Sequence, residues 1–285
     1  MDALLTHGTA WIVSLSLALL LTGLVAGTLA GLLGIGGGIV IVPMLYFLFH
    51  LLQVDPAVLM HVVIGTSLAT IIPTSVMSSR AHNKRGNLDK ALAMQLLPGV
   101  LLGVLLGVLL GALTSRYLAG TWLTVIFASM ALLIAIKMGI NFQAAPLGQH
   151  MPARIGSTAF GTLIGGVSTL IGVGGGTLSV PILSSFGVPM RTAVGTSALI
   201  GCFISIPGTL AFIINGWHQS QLPPWSLGYV NVLCFALIVP TSMLSTSWGA
   251  ALASRINNQH LQKVFALFLL ITAAHMFYGL LQQHT

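Results

Sequence analysis

The amino-acid sequence predicts an all-α polytopic membrane protein, with about ten hydrophobic segments in two inverted five-segment repeats and helices interrupted by Gly and Pro. Three observations carry this. Of 285 residues, 56% are hydrophobic and only 5% are charged, whereas a soluble domain carries about 25% charged residues. Apolar runs near the ~20 residues that cross a bilayer as helix recur throughout, without the alternating pattern of about ten residues that marks a membrane β-barrel. Finally, one glycine-rich stretch occurs twice, as GLLGIGGGIVIVP at 31–43 and TLIGVGGGTLSVP at 169–181.

The first set of segments is expected at 11–33, 36–52, 61–79, 91–115 and 120–138, and the second at 153–171, 174–189, 192–216, 225–253 and 260–281. The polar stretch GINFQAAPLGQHMP at 139–152 reads as a connecting loop, which divides the chain into an N-terminal transmembrane repeat, 1–138, and a C-terminal one, 153–285. The sets match in order. HVVIGTS at 61–67 aligns with RTAVGTS at 191–197, Gly86 falls opposite Gly216, and Ser115-Arg116 matches Ser254-Arg255. Gly-Thr-Ser and Ser-Arg are not generic apolar signals, so duplication accounts for them better than membrane composition does.

Charge placement orients the halves. With ten crossings and the 80–90 loop inside, nine of the ten Lys and Arg residues fall on the cytoplasmic side and only Arg116 outside. With eight crossings the split is six to four. The positive-inside rule therefore favours inverted halves with both termini outside. Re-entrant hairpins at 11–52 and 153–189 would keep the same sidedness, so whether 36–52 and 174–189 span fully stays open at this point.

The formal charge of +7 does not indicate nucleic acid, because the basic residues sit at the ends of apolar segments. The only acids are Asp2, Asp55 and Asp89. Cys202 and Cys234 lie inside apolar segments and read as small buried hydrophobes. No Lys or Arg precedes Arg80, so a basic, cleaved signal peptide is not expected.

Glycine costs roughly 1 kcal/mol against alanine in a helix interior, so a repeated triple glycine needs a reason. Each run precedes an apolar stretch of helix length, where Gly36, Gly37 and Gly38, and Gly174, Gly175 and Gly176, can form an exposed helix N-terminus. Such a terminus offers unpaired N–H donors and partial positive charge to an anion. Pro43 and Pro181 each remove a helical hydrogen bond and favour a helix break. By contrast, Gly99, Gly103, Gly107 and Gly111, spaced by four, read as helix packing. Thr66, Ser67, Thr196 and Ser197 either bond back to the preceding turn or, with Thr177, donate to a substrate. His61 and Arg191, at equivalent places four residues before the Gly-Thr-Ser glycines, serve either as anion entrances or gates at opposite faces or as interfacial residues.

The two glycine-proline motifs, each followed by a Gly-Thr-Ser segment, resemble the sulfite exporter TauE/SafE family, also called the 4-toluene sulfonate uptake permease family. The resemblance covers nearly the whole chain. It implies a multi-pass permease of the bacterial inner (cytoplasmic) membrane for small sulfur-containing anions such as sulfite, sulfonates or sulfoacetate. Its expected partners are that anion and the lipid bilayer, with self-association left open and nucleic acid excluded. No cofactor and no metal is expected. The alternative within the class is a proton-coupled uptake permease for another small organic anion.

Other classes fit less well. There is no Gly-x-x-x-x-Gly-Lys-Ser/Thr phosphate loop for ATP. A membrane-embedded enzyme would need a nucleophile with a base, or His and carboxylate around a metal. His50, His61, His82, His218 and His275 are dispersed. A cation pathway would place Asp or Glu in the membrane, yet Asp55 and Asp89 fall in expected loops. Coupling to protons would have to use a histidine, with His61 and His275 the candidates within segments.

Overall fold

The computed structural model describes residues 8–33, 36–117, 121–139, 148, 151–152, 154–252 and 258–282. Ten helices form among them: α1 (Gly8–Leu33), α2 (Gly38–Leu51), α3 (Pro56–Lys84), α4 (Lys90–Tyr117) and α5 (Thr121–Gly139), then α6 (Arg154–Ile171), α7 (Gly176–Ser185), α8 (Met190–Asn215), α9 (Val232–Leu252) and α10 (Asn258–Gln282). Five of these are long and apolar enough to cross a bilayer, in α1, α3, α4, α8 and α9. Their outward leucines stay exposed, as at Leu101, Leu105 and Leu109, which suits a lipid solvent. This is a multi-pass membrane protein. Most of the connection 139–152, together with Gly34, Ser254, Arg255 and the side chain of Arg116, lies outside the described residues.

Helix ends follow local chemistry. Asp55 accepts from the Ala57 amide at 2.8 Å with Pro56 at the first helical position, which starts α3 five residues before its expected apolar run. Asp89 accepts from the Leu92 amide at 2.9 Å and Asn231 from the Cys234 amide at 3.0 Å, capping α4 and α9. The expected segment 225–253 begins instead with a hairpin. Strand β1 (Ser226–Leu227) pairs antiparallel with β2 (Val230–Asn231) around Gly228 at φ 55°, a conformation that suits a two-residue hairpin loop.

The contacts between the two sets of helices are reciprocal. The first helix of each set lies along the fourth helix of the other. On α1, Gly23 faces the Ile238 carbonyl and Gly27 that of Ser242; on α6, Gly161 faces the Leu96 carbonyl and Gly165 that of Val100. Gly65 rests against the Tyr229 carbonyl, and its mate Gly195 against that of Asn87. When residue i touches j′ and i′ touches j, the two units are related by a two-fold axis. The repeat mates α3 and α8 cross antiparallel, with Gly65 beside Phe212, Leu68 beside Gly208, Ser75 beside Gly201 and His82 beside Gly195. Two membrane-crossing mates that run in opposite directions belong to inverted halves.

The short helices explain the interrupted segments. α2 has 14 residues and α7 has 10, so at 1.5 Å per residue they reach only about 21 and 15 Å into a hydrocarbon core of about 30 Å. The helix break expected at Pro43 and Pro181 is corrected here, because both helices run through their prolines. The chain breaks earlier, at the glycines. Each proline lies one turn inside its helix, where losing one N–H leaves a carbonyl unpaired without ending the coil.

Candidate functional site

Both glycine turns sit midway along the crossing helices α3 and α8. Gly36 and Gly174 take φ of 71° and 77°, a left-handed conformation that side chains resist, and each turn reverses the chain before a short helix starts. The turns meet: a Cβ built on Gly38 would lie 2.7 Å from the Gly172 carbonyl oxygen and 2.9 Å from Val173 Cα. Gly36–Gly38 and Gly174–Gly176 are all buried. At the start of α7 the amides of Gly175, Gly176 and Thr177 donate to no group among the described residues, as expected of a first turn that has no intrahelical acceptor.

The Gly-Thr-Ser hydroxyls split between two tasks. Ser67 donates to the Gly172 carbonyl at 2.7 Å, so α3 holds the glycine turn of the other half. Thr66 accepts from the Asn231 amide at 2.8 Å, and Thr196 accepts from the Asp89 amide at 3.1 Å. Each threonine therefore braces the capped start of the opposite half's fourth helix, away from the glycine turns. Ser197 donates to the Val194 carbonyl at 2.8 Å within its own helix. Of the residues expected to gather, the six glycines, Ser67 and Thr177 lie at the centre.

His61 and Arg191 part company in the fold. His61 is 3% exposed and stacks on Tyr229 at 5.0 Å between centroids. Burial raises the Tyr229 phenol above its ordinary value, so it faces His61 uncharged. Arg191 is exposed in the first turn of α8. Among the remaining segment histidines, His275 is exposed and packs edge-on against Phe47 at 4.6 Å, and His82 meets the Gly31 carbonyl at 3.2 Å.

Sequence reasoning missed Ser75 and Ser205. Both are fully buried, and neither hydroxyl has a partner. Ser75 lies beside Gly36 and Gly201, 3.5 and 2.6 Å from Cβ positions built on those glycines. Buried hydroxyls without a partner are uncommon in proteins, and these two stand eight residues beyond Ser67 and Ser197 in the repeat alignment. Extending that alignment by two helical turns would have found them. Thr177 and Ser179 on α7 are likewise buried without partners, opposite Ile39 and Ile41 of the first half. The centre thus offers N–H and O–H donors with no charged side chain among the residues described here. Among the described residues, no group of His, Cys, Asp and Glu could hold a metal ion.

Comparison with known proteins bears on what such a centre serves. The family profile for sulfite exporter TauE/SafE matches residues 19–276. A probable membrane transporter protein of Haemophilus influenzae is 36% identical over 258 residues, covering 90% of this chain and 96% of that one. Probable membrane transporters of Bacillus subtilis and Methanocaldococcus jannaschii are 28% and 23% identical, over 91% and 86% of this chain and 96% and 88% of theirs. No solved structure matches. By the span of the profile and the near-complete overlap with these transporters, the chain belongs to the TauE/SafE sulfite exporter family of membrane transporters.

Proposed function

We propose that the protein is a permease that moves small sulfur-containing anions, such as sulfite, sulfonates or sulfoacetate, across the bacterial inner membrane. The observation that carries this reading is the donor-rich centre midway along α3 and α8, where free amides of a helix N-terminus sit with buried, unpartnered hydroxyls. Amides and hydroxyls stabilise an oxyanion through directed hydrogen bonds and the helix dipole. With no fixed cation among the donors themselves, binding stays weak enough for the ion to leave, which conduction requires. The family name adds support for a sulfur oxyanion. Ser75 faces glycines rather than a base, so the reading is non-enzymatic.

In this reading the repeats are 1–138 and 153–285, joined by 139–152, with the 80–90 loop cytoplasmic and both termini periplasmic. A potential that is negative inside drives anions outward, by about 2.3 kcal/mol per charge for each 100 mV. Export then needs no coupling ion. The test is a binding screen of the purified protein against sulfite, sulfate, thiosulfate, taurine, sulfoacetate and aryl sulfonates, followed by liposome flux under an imposed potassium-diffusion potential. Binding of at least one sulfur anion and flux that follows the potential are expected. Binding of none of them sinks the reading.

One observation favours a second reading, proton-coupled uptake of another small organic anion. His61 is buried within α3, and neither ring nitrogen has a hydrogen-bond partner. A proton gradient that drives uptake in the absence of a membrane potential would select it.

A further inference from the structure

The two glycine turns are repeats of one another, yet different side chains face them. Four residues beyond the aligned Ser67 and Ser197, α3 carries Ile71 and α8 carries Gly201. Ile71 fills the turn before α2. Its Cγ2 lies 3.2 Å from a Cβ built on Gly36, and its Cδ1 lies 2.6 Å from one built on Gly38. The Gly172 carbonyl oxygen stands 2.7 Å from that same Gly38 position, and a carbonyl oxygen repels an anion. Hydrocarbon and an acceptor thus crowd the α2 turn at Gly38, and Ser75 Oγ stands farther from it, 3.5 Å from a Cβ built on Gly36.

The α7 turn is covered by hydrocarbon on one flank, where Ile200 Cγ2 lies 2.9 Å from a Cβ built on Gly175, but differs on the other. Gly201 presents no side chain to it, and a Cβ built there would lie 2.6 Å from Ser75 Oγ and 3.8 Å from the Gly175 nitrogen. That missing methyl would overlap the Ser75 hydroxyl beside the Gly175 amide, neither of which has a partner, so the Ser75 side chain has to turn for an ion to enter. Ser75 is fully buried and comes from the other half. Thr177, in the first turn of α7, adds a second buried hydroxyl without a partner where the first half has Ile39.

We propose that the anion is held at the α7 turn alone, by the amides of Gly175 and Gly176 and by the Ser75 hydroxyl reaching across from the opposite half. The α2 turn is its structural counterpart and binds no ion. This rests on reading the chain as an anion permease. It makes one site per chain rather than two symmetric ones. Because the hydroxyl and the amides belong to different halves, any displacement of one half against the other separates the donors and loosens the ion.

The test is calorimetric titration of the full-length protein with sulfite and sulfoacetate, and with phosphate and acetate as anions without sulfur. Ser75→Ala should weaken binding about tenfold, the scale of one lost hydrogen bond to a charged group. Ser205→Ala, at the repeat-related position, should stay within about twofold, on the same scale. Gly201→Ala should weaken binding at least as much as Ser75→Ala, since its methyl would overlap Ser75 Oγ and lie beside the Gly175 amide. If Ser75→Ala does not fold, Ser75→Cys keeps the volume with a poor donor and decides the point. Equal losses from Ser75→Ala and Ser205→Ala, or no loss from any Ser75 variant, overturn the proposal while leaving the permease reading intact. A protein that prefers phosphate or acetate and still depends on Ser75 overturns the sulfur-anion reading and keeps this one. A wild-type protein that binds none of the four anions overturns both.

Discussion

The periphery and the centre of this molecule treat the duplication differently. At the periphery, mates do the same work: Thr66 receives the Asn231 amide as Thr196 receives that of Asp89, and Gly65 and Gly195 admit the carbonyls of Tyr229 and Asn87. At the centre the mates diverge. Ile71 stands opposite Gly201, Ile39 opposite Thr177 and Ile41 opposite Ser179. Reciprocal contacts set the distance and angle between halves, so changing one half alone misaligns both. The central residues take no part in those reciprocal contacts, so each can change singly, and in the proposed permease they are the ones that would meet the ion. A symmetric frame with an asymmetric centre lets inverted halves share a fold while their two helix N-termini meet different side chains.

The largest expected effect separates the two turns. Gly175→Val places branched carbons where a Cβ already meets the Gly201 nitrogen and Ile200 Cγ2 at 2.9 Å. Anion flux per inserted molecule should fall by roughly a hundredfold, the scale of two lost charge-assisted hydrogen bonds. Gly38→Ala at the other turn presses on Ile71 and the Gly172 carbonyl, a packing fault of about 1–3 kcal/mol. It should lower thermal stability in detergent while flux per folded molecule stays within about twofold, since no donor bond is removed. Equal flux losses from the two variants would erase the distinction between the turns.

The frame can be broken next. Thr66→Val deprives the Asn231 amide of its acceptor in a buried setting, which costs about 1–3 kcal/mol. Thr196→Val removes the acceptor of the Asp89 amide, where the bond is longer at 3.1 Å and only part-buried, so water can take over. Unfolding by heat should show the first variant as the more destabilised, with anion affinity unchanged in both. A selective loss of affinity in either would return these threonines to the ion path.

Most of the frame was legible in the sequence because apolar length, Gly-Thr-Ser pairs and charge placement each report on the bilayer or on the repeat. The hairpin at 226–231 was not, because Trp225 to Asn231 is as apolar as a helix start and only Gly228 betrays the turn. The glycine turns were legible as unusual residues in a costly place. Their neighbours were not. A hydroxyl in an apolar helix normally bonds back one turn, as Thr169 does to Gly165 at 2.7 Å, so nothing in the local sequence distinguishes Ser75, whose hydroxyl has no partner. The difference between Ile71 and Gly201 gains meaning only from the register in which α3 crosses α8, which no local pattern encodes. Thr66 and Thr196 shared a motif with Ser67, and one residue of rotation on the helix sent them to different neighbours.

A smaller effect sharpens how one half holds the other's turn. Ser67→Ala removes the 2.7 Å bond to the Gly172 carbonyl, a neutral hydrogen bond with a net value of about 1 kcal/mol. Amide exchange should quicken at Val173, whose amide donates to the Ser168 carbonyl at 3.2 Å, ahead of α7. Exchange unchanged there would mean that the turn is held by packing against Ile64 alone.

The smallest effects belong to His61 and Arg191, repeat mates in different settings. Arg191 is exposed at the start of α8, and an exposed charge draws anions only within a screening length of about 8 Å at physiological salt. Arg191→Gln should therefore slow flux by no more than about threefold at low ionic strength and leave it unchanged at high salt. His61 is buried against the uncharged Tyr229 ring. If transport is driven by the membrane potential, as proposed, no proton is needed there. His61→Phe keeps the ring and its stacking while removing both nitrogens, so flux in liposomes should match wild type from about pH 6 to 8, the range in which an ordinary histidine titrates. Wild-type flux should also ignore sodium. A proton-gradient requirement that disappears in His61→Phe would move coupling into this ring and favour uptake over potential-driven export.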